Sequence, residues 1–108
     1  MANSRIVNTP SQAIPQSGAT HAQNTISSTA EAVIDFTLQS DTTHVFVQFT
    51  GGSVRVTLDG VTDPTTSLGF QYADGSTAYW TRHMALKAKA IRDDGTDVVA
   101  EIQELNYL

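Results

Sequence analysis

The residues of this chain whose types could hold a metal are His21, His44 and His83 and the carboxylates Asp93, Asp94 and Asp97. A zinc site needs His or Cys ligands at short, converging spacings. None of the three histidines has a second His or Cys at such a spacing, so they read as surface histidines. The aspartates crowd around Gly95 and could hold Ca²⁺ loosely. They lack the ligand count and closing Glu of a calcium loop, however, and turn formation accounts for them. Serines are plentiful but none sits in a nucleophile elbow. Gly51-Gly52 lacks the helix and lysine that would make it a phosphate loop. Asp59 and Asp63 flank turn signals and mark no cleft. With no nucleophile, base and orienting group in view, the sequence predicts no enzyme, no metal and no cofactor.

The aromatic group Phe70, Tyr72, Tyr79 and Trp80 is the remaining chemistry. Large rings in a small domain normally fill its core. Adjacent residues on a strand point to opposite faces, so at most one of Tyr79 and Trp80 is core and the other is a contact candidate. A surface platform for a sugar or a protein is the competing reading.

The elements that must position these groups read as strands. Val45, Val47 and Phe49, then Val54, Val56 and Leu58, alternate on either side of Gly51-Gly52, a two-residue hairpin signal. The implied register pairs Phe49 with Val54, Val47 with Val56 and Val45 with Leu58. His44, Phe46, Gln48, Thr50, Arg55 and Thr57 then lie on the other face. Ala32, Ile34, Phe36 and Leu38 predict a half-buried strand, and Asp59-Gly60 and Asp74-Gly75 predict turns. A short strand is expected around residues 68–72, and another across Ala78, Tyr79 and Trp80. For residues 82–105 a short helix after Thr81 competes with a second hairpin around Asp93-Asp94-Gly95. The hairpin would pair Ala90 with Val98, Ala88 with Ala100, Leu86 with Ile102 and Lys87 with Glu101, and is the reading preferred here.

Seven or eight short strands imply an all-β chain, a small antiparallel β-sandwich or jelly roll over residues 31–108. Residues 1–30 differ: they are rich in Ser, Thr, Asn, Gln, Ala and Pro, and Arg5 is their only charge. They read as an extended or disordered N-terminal arm. If the arm orders along a partner, Ile6, Val7, Ile14 and Ile26 are its anchors and Pro10 and Pro15 favour extended geometry. A folded part this small, with no cysteine for a disulfide, is marginal alone, so oligomerisation is expected.

A net charge of −5 with six Lys plus Arg argues against tracking a nucleic-acid backbone. No apolar run approaches the ~18 residues of a membrane span. The first residues lack the apolar block of a signal peptide, which predicts a protein made in a cytoplasm.

At Val54-Arg55-Val56-Thr57-Leu58-Asp59-Gly60, Asp63-Pro64-Thr65, Gly69-Phe70 and Asp74-Gly75-Ser76, the chain resembles a group of small virion proteins of tailed bacteriophages. The likeness covers about residues 43–105 and rests largely on turn chemistry. It implies a structural protein of the particle: a capsid decoration or cement protein that sits as a homotrimer on the capsid exterior and binds the major capsid protein. Phe46, Arg55 and Trp80 are then candidates for subunit contacts. Two alternatives stay open, a neck or tail-associated virion protein and a carbohydrate-binding head-fibre module.

Overall fold

The computed structural model describes residues 15–107, with side chains described for residues 20–106. In chain order the elements are β1 (Pro15–Ile26), β2 (Glu31–Ala32), β3 (His44–Thr50), β4 (Val54–Thr57), β5 (Phe70–Tyr72), β6 (Thr77–Thr81), α1 (Arg82–Lys87), β7 (Lys89–Arg92) and β8 (Val98–Tyr107). They form two four-stranded sheets, β1-β8-β3-β6 and β2-β7-β4-β5. Every pairing is antiparallel. β1 pairs with β8, β2 with β7, β3 with β6 and β4 with β5. That is a long antiparallel ribbon wound on itself and closed by β3 on β8 and β4 on β7, the order of a jelly roll. The all-β sandwich expected from the sequence is the fold.

The core lies between the two sheets. Val45, Val47, Phe49, Ala100 and Ile102 from the first sheet face Val54, Val56 and Ala90 from the second, all without exposed surface. Each alternates with an outward residue along its strand, as half-buried sheets require.

Gly51-Gly52 does not close a hairpin. β3 and β4 lie in different sheets, so the glycines carry the chain across the sandwich as an arch. The alternation of apolar residues is the same in both cases. In a hairpin the apolar side chains share one face; in an arch they meet across the core. Side-chain period alone cannot separate the two. What needs the glycines is the crowding at this end. Gly51 has φ +101°, and a Cβ on Gly52 would lie 3.1 Å from an Asp94 carboxylate oxygen and 3.2 Å from Val98. The Asp93 amide donates to the Ser53 carbonyl at 2.9 Å, and the Gly51 amide donates to Asp74 at 3.0 Å. Three crossings therefore brace one another at one end of the sandwich.

The second expected hairpin is corrected in the same way. Arg82–Lys87 is a helix capped by the Thr81 hydroxyl, which accepts from the Met84 amide at 3.2 Å. β7 joins the second sheet and β8 the first. Ala90 pairs with Val56 and Glu31, Val98 with Ile26, Ala100 with Phe49 and Asn24, and Ile102 with Val47 and Ala22. Leu86 is exposed on the helix. The strand expected over Ala32 to Leu38 shortens to Glu31–Ala32. Val33 and Ile34 are buried in succession, which an alternating strand cannot do, because the chain here crosses back toward the first sheet.

The boundary of the arm also moves. Residues 15–26, read as part of it, form the twelve-residue edge strand β1, in register with β8 from Pro15↔Tyr107 to Ile26↔Val98 and irregular between Ser17 and His21. A polar sequence can hold this place because β8 supplies backbone hydrogen bonds that require no apolar side chain. Asn24 adds a tie, donating to the Val33 carbonyl at 2.9 Å and the Ala32 carbonyl at 3.1 Å. Ile26, expected to anchor a partner, has no exposed surface and belongs to its own chain's core. Ile6, Val7 and Ile14 lie outside the described residues.

Candidate functional site

The outer face of the first sheet is built by side chains that alternate with the core positions. The register aligns Tyr79, Phe46, Gln103 and His21 in one row across β6, β3, β8 and β1. Thr77, Gln48, Glu101 and Gln23 form the next row. Phe46 is 44% exposed and Tyr79 51%. The Tyr79 ring stacks on His44 with centroids 5.0 Å apart and planes 3° from parallel. Rings and neutral amides therefore dominate the β3–β6 half of the face.

The carboxylate of the face lies in its other half, with His21 beside it. His21 Nε2 lies 2.8 Å from the Glu101 carboxylate, whose second oxygen accepts from the Gln23 amide. His21 Nδ1 lies 3.3 Å from Gln103 Oε1. The Glu101 hydrogen bond, then that of Gln103, raises the His21 pKa above its usual 6.5. The His21 hydrogen bond, then that of Gln23, lowers Glu101 below its usual 4.5. A raised imidazole pKa stabilises the fold below 6.5 and loses that effect as pH rises through the folded value. A lowered carboxylate pKa stabilises above 4.5 and loses its effect as pH falls through its own folded value. The pair thus stabilises most between those limits. Thermal unfolding of His21→Gln should fall furthest below the parent near about pH 5.5, and the two should converge above the raised histidine pKa. A constant offset at all pH values would contradict the assignment.

The other sequence candidates take different places. Trp80 is 3% exposed and packs edge-on to Tyr72, with ring centroids 6.3 Å apart, and tilted against Phe49 at 6.4 Å. It is a core residue, which corrects its reading as a subunit contact or glycan platform. Of the adjacent pair, Tyr79 is the outward one. Arg55 on the second sheet is engaged within the chain: its Nη1 donates to the Gly69 carbonyl at 3.2 Å and its Nε is 3.5 Å from the Asp93 carboxylate. The turn aspartates are committed to local contacts, Asp94 to the Thr96 amide and Asp97 to Arg92. Among the described residues no three His, Cys, Asp or Glu side chains are grouped to hold a metal ion.

Two features escaped the sequence reading. Glu104 on β8 has no exposed surface; its Oε1 accepts from the Gln39 amide at 2.8 Å and from the Thr42 hydroxyl. It continues the alternation of Ala100 and Ile102, so its inward direction was available from period 2, but a carboxylate there was not expected. Second, Leu68 and Phe70 are exposed, at 49% and 64%, and line a groove between the end of β4 and edge strand β5. The Asp63-Pro64 loop gave no periodic signal from which to infer it.

No family model, no curated protein and no solved structure matches this chain.

Proposed function

We propose that this chain is a structural subunit of a tailed-bacteriophage particle, a decoration or cement protein that associates with itself, as a trimer, and with the major capsid protein on the head exterior. The observation that carries the self-association is the outer face of the first sheet. The chain has eleven acidic residues and a net charge of −5, yet among the described residues the outward positions of this face hold Glu101 as their only carboxylate, and it is paired with His21. Identical acidic chains repel each other over most of their surface. They can approach through a near-neutral face whose exposed rings gain from leaving water. The resemblance over residues 43–105 supports the viral context, as does the jelly-roll order, which recurs in capsid and lectin domains.

Association on a lattice would sum many weak contacts into firm attachment. Imaging the particle that carries this protein tests the assignment. Hundreds of copies on the head surface are expected. A few copies at the neck or tail would replace it with the neck-protein reading.

The exposed Tyr79 ring beside Phe46 and the amides of Gln48 and Gln103 favours a second reading, a glycan-binding face. Aromatic rings and neutral hydrogen-bonding groups suit sugars. Retention on glycans that Tyr79→Ala removes without unfolding the chain would support it. Trp80 takes no part in this face, since its ring is buried.

A further inference from the structure

The groove beside β5 is open, about 580 Å³ in volume, and lined by Val56, Leu58, Asp59, Thr62, Leu68 and Phe70 among others. Among the described residues β5 pairs with β4 on one side only and forms an edge of the second sheet. Such an edge can accept a further strand, with neighbouring pockets taking alternate side chains. The rim is held in shape. Gly69 presses against β4, where a Cβ would lie 3.1 Å from the Val56 carbonyl oxygen, and Arg55 ties the Gly69 carbonyl. At the opposite rim the Asp59 carboxylate accepts from the Val61 and Thr62 amides at 2.9 and 2.8 Å and from the Thr62 hydroxyl at 2.6 Å. The Thr62 hydroxyl, then the two amides, holds its pKa down to about 2, so it is an anion throughout the physiological range. The groove is therefore apolar with a fixed negative charge at its edge.

Residues 1–14 carry the complementary chemistry. Arg5 is their only charge, and Ile6, Val7 and Ile14 are their aliphatic residues of size. On an extended segment Arg5 and Val7 project to the same side, about 7 Å apart. The geometry of the ends agrees. Pro15 pairs with Tyr107 at the end of the first sheet remote from the Gly51-Gly52 arch. The groove opens beyond Thr57 at that same end of the second sheet. Fourteen extended residues reach on the order of 45 Å. β1 runs from this end toward the arches, so an extended continuation of β1 before Pro15 would point away from the body. Reaching their own groove would require reversing direction and crossing from β1 to β5, on opposite edges of the sandwich, and Pro10 and Pro15 favour extended backbone.

We propose that this groove receives residues 1–14 of a neighbouring copy of the chain, added as a strand against β5, with Val7 between Leu68 and Phe70 and Arg5 beside Asp59. The inference rests on the self-association in the proposed function and is independent of what the assembly coats.

The chain has no cysteine, so disulfide trapping in the full-length protein is a clean test. Val7→Cys with Leu68→Cys, oxidised under mild conditions, should give chains linked to one another on a non-reducing gel. Val7→Cys with Phe70→Cys provides an independent pair, and both Leu68 and Phe70 are exposed, so neither change disturbs the core. Arg5→Glu should slow trapping roughly 3- to 10-fold by replacing attraction to Asp59 with repulsion. A link within one chain, identified by peptide mass, would overturn the exchange between copies. Absence of any link from both pairs would overturn the docking. Native mass of the reduced variants separates the two levels: an oligomer that does not trap removes only the groove assignment, whereas a solitary chain removes the self-association beneath it.

Discussion

Trp80→Ala should destabilise the protein by about 3–5 kcal/mol, whether or not it is assembled with anything else. The ring has almost no exposed surface and joins Phe49 and Tyr72 in one cluster, with centroids between 5.3 and 6.4 Å apart. Phe49 belongs to β3 and Trp80 to β6 of the first sheet, while Tyr72 belongs to β5 of the second, so the cluster fastens one sheet to the other. Removing the indole opens a cavity that the surrounding strands, fixed by their ladders, cannot collapse to fill. A domain of this size has about 5–15 kcal/mol in total, so the variant should be partly unfolded on warming. Urea unfolding measures the loss directly. A variant of parental stability that has lost only its associations would return Trp80 to the surface and contradict the packing described here.

Glu104→Ala should cost about 2–4 kcal/mol, a larger effect than most changes of a single polar residue. The Glu104 carboxylate accepts from the Gln39 amide and the Thr42 hydroxyl. Arg82 Nη1 donates to the Gln39 carbonyl at 2.6 Å and the Thr42 carbonyl at 3.1 Å. The turn at residues 39–42 is thus held by Glu104 through its donors and by Arg82 through its carbonyls. It leads directly into β3: the Thr43 amide donates to the Leu105 carbonyl at 2.9 Å, and the Arg82 amide to the Thr43 carbonyl at 2.8 Å. Alanine at 104 leaves the donors of the turn without their acceptor. Glu104→Gln keeps one acceptor oxygen and should lose less. Denaturant unfolding of both variants, with hydrogen exchange at the Gln39 amide, tests this. Equal stability of Glu104→Ala and the parent, to within about 0.5 kcal/mol, would contradict the clamp.

Side-chain period carried most of the fold into view and misled at one recurring point. Val45, Val47, Phe49, Val54 and Val56 are all inside, as their alternation implies. Both proposed hairpins, around Gly51-Gly52 and around Asp93-Asp94-Gly95, are crossings between sheets. Their apolar residues oppose each other across the core, and nothing in a period of two distinguishes that from lying side by side. The twelve-residue strand β1 was illegible for a different reason: its place depends on backbone hydrogen bonds to β8, which leave no mark on side-chain type. The helix at Arg82–Lys87 was visible in its formers and its Thr81 cap, but a competing pattern of apolar pairs outweighed it.

The candidate surfaces were legible in part. Phe46 was placed outward from register alone, and period two required Tyr79 and Trp80 to take opposite faces without saying which was core. The pairing of β6 with β3 decides it. Val45 is inward and pairs with Trp80, and the outward Phe46 pairs with Tyr79. The groove around Leu68 and Phe70 depends on how a nonperiodic loop folds back onto β4, which no local pattern encodes.

Self-association through a near-neutral face on an acidic body is the proposal on which the trimer and the groove assignment both rest. Sedimentation equilibrium of the purified protein at micromolar concentration measures this without assuming any partner. The expected mass is three times the 11.6 kDa protomer, reduced to one protomer by Phe46→Glu. A stable species of a single protomer's mass at every concentration would contradict it.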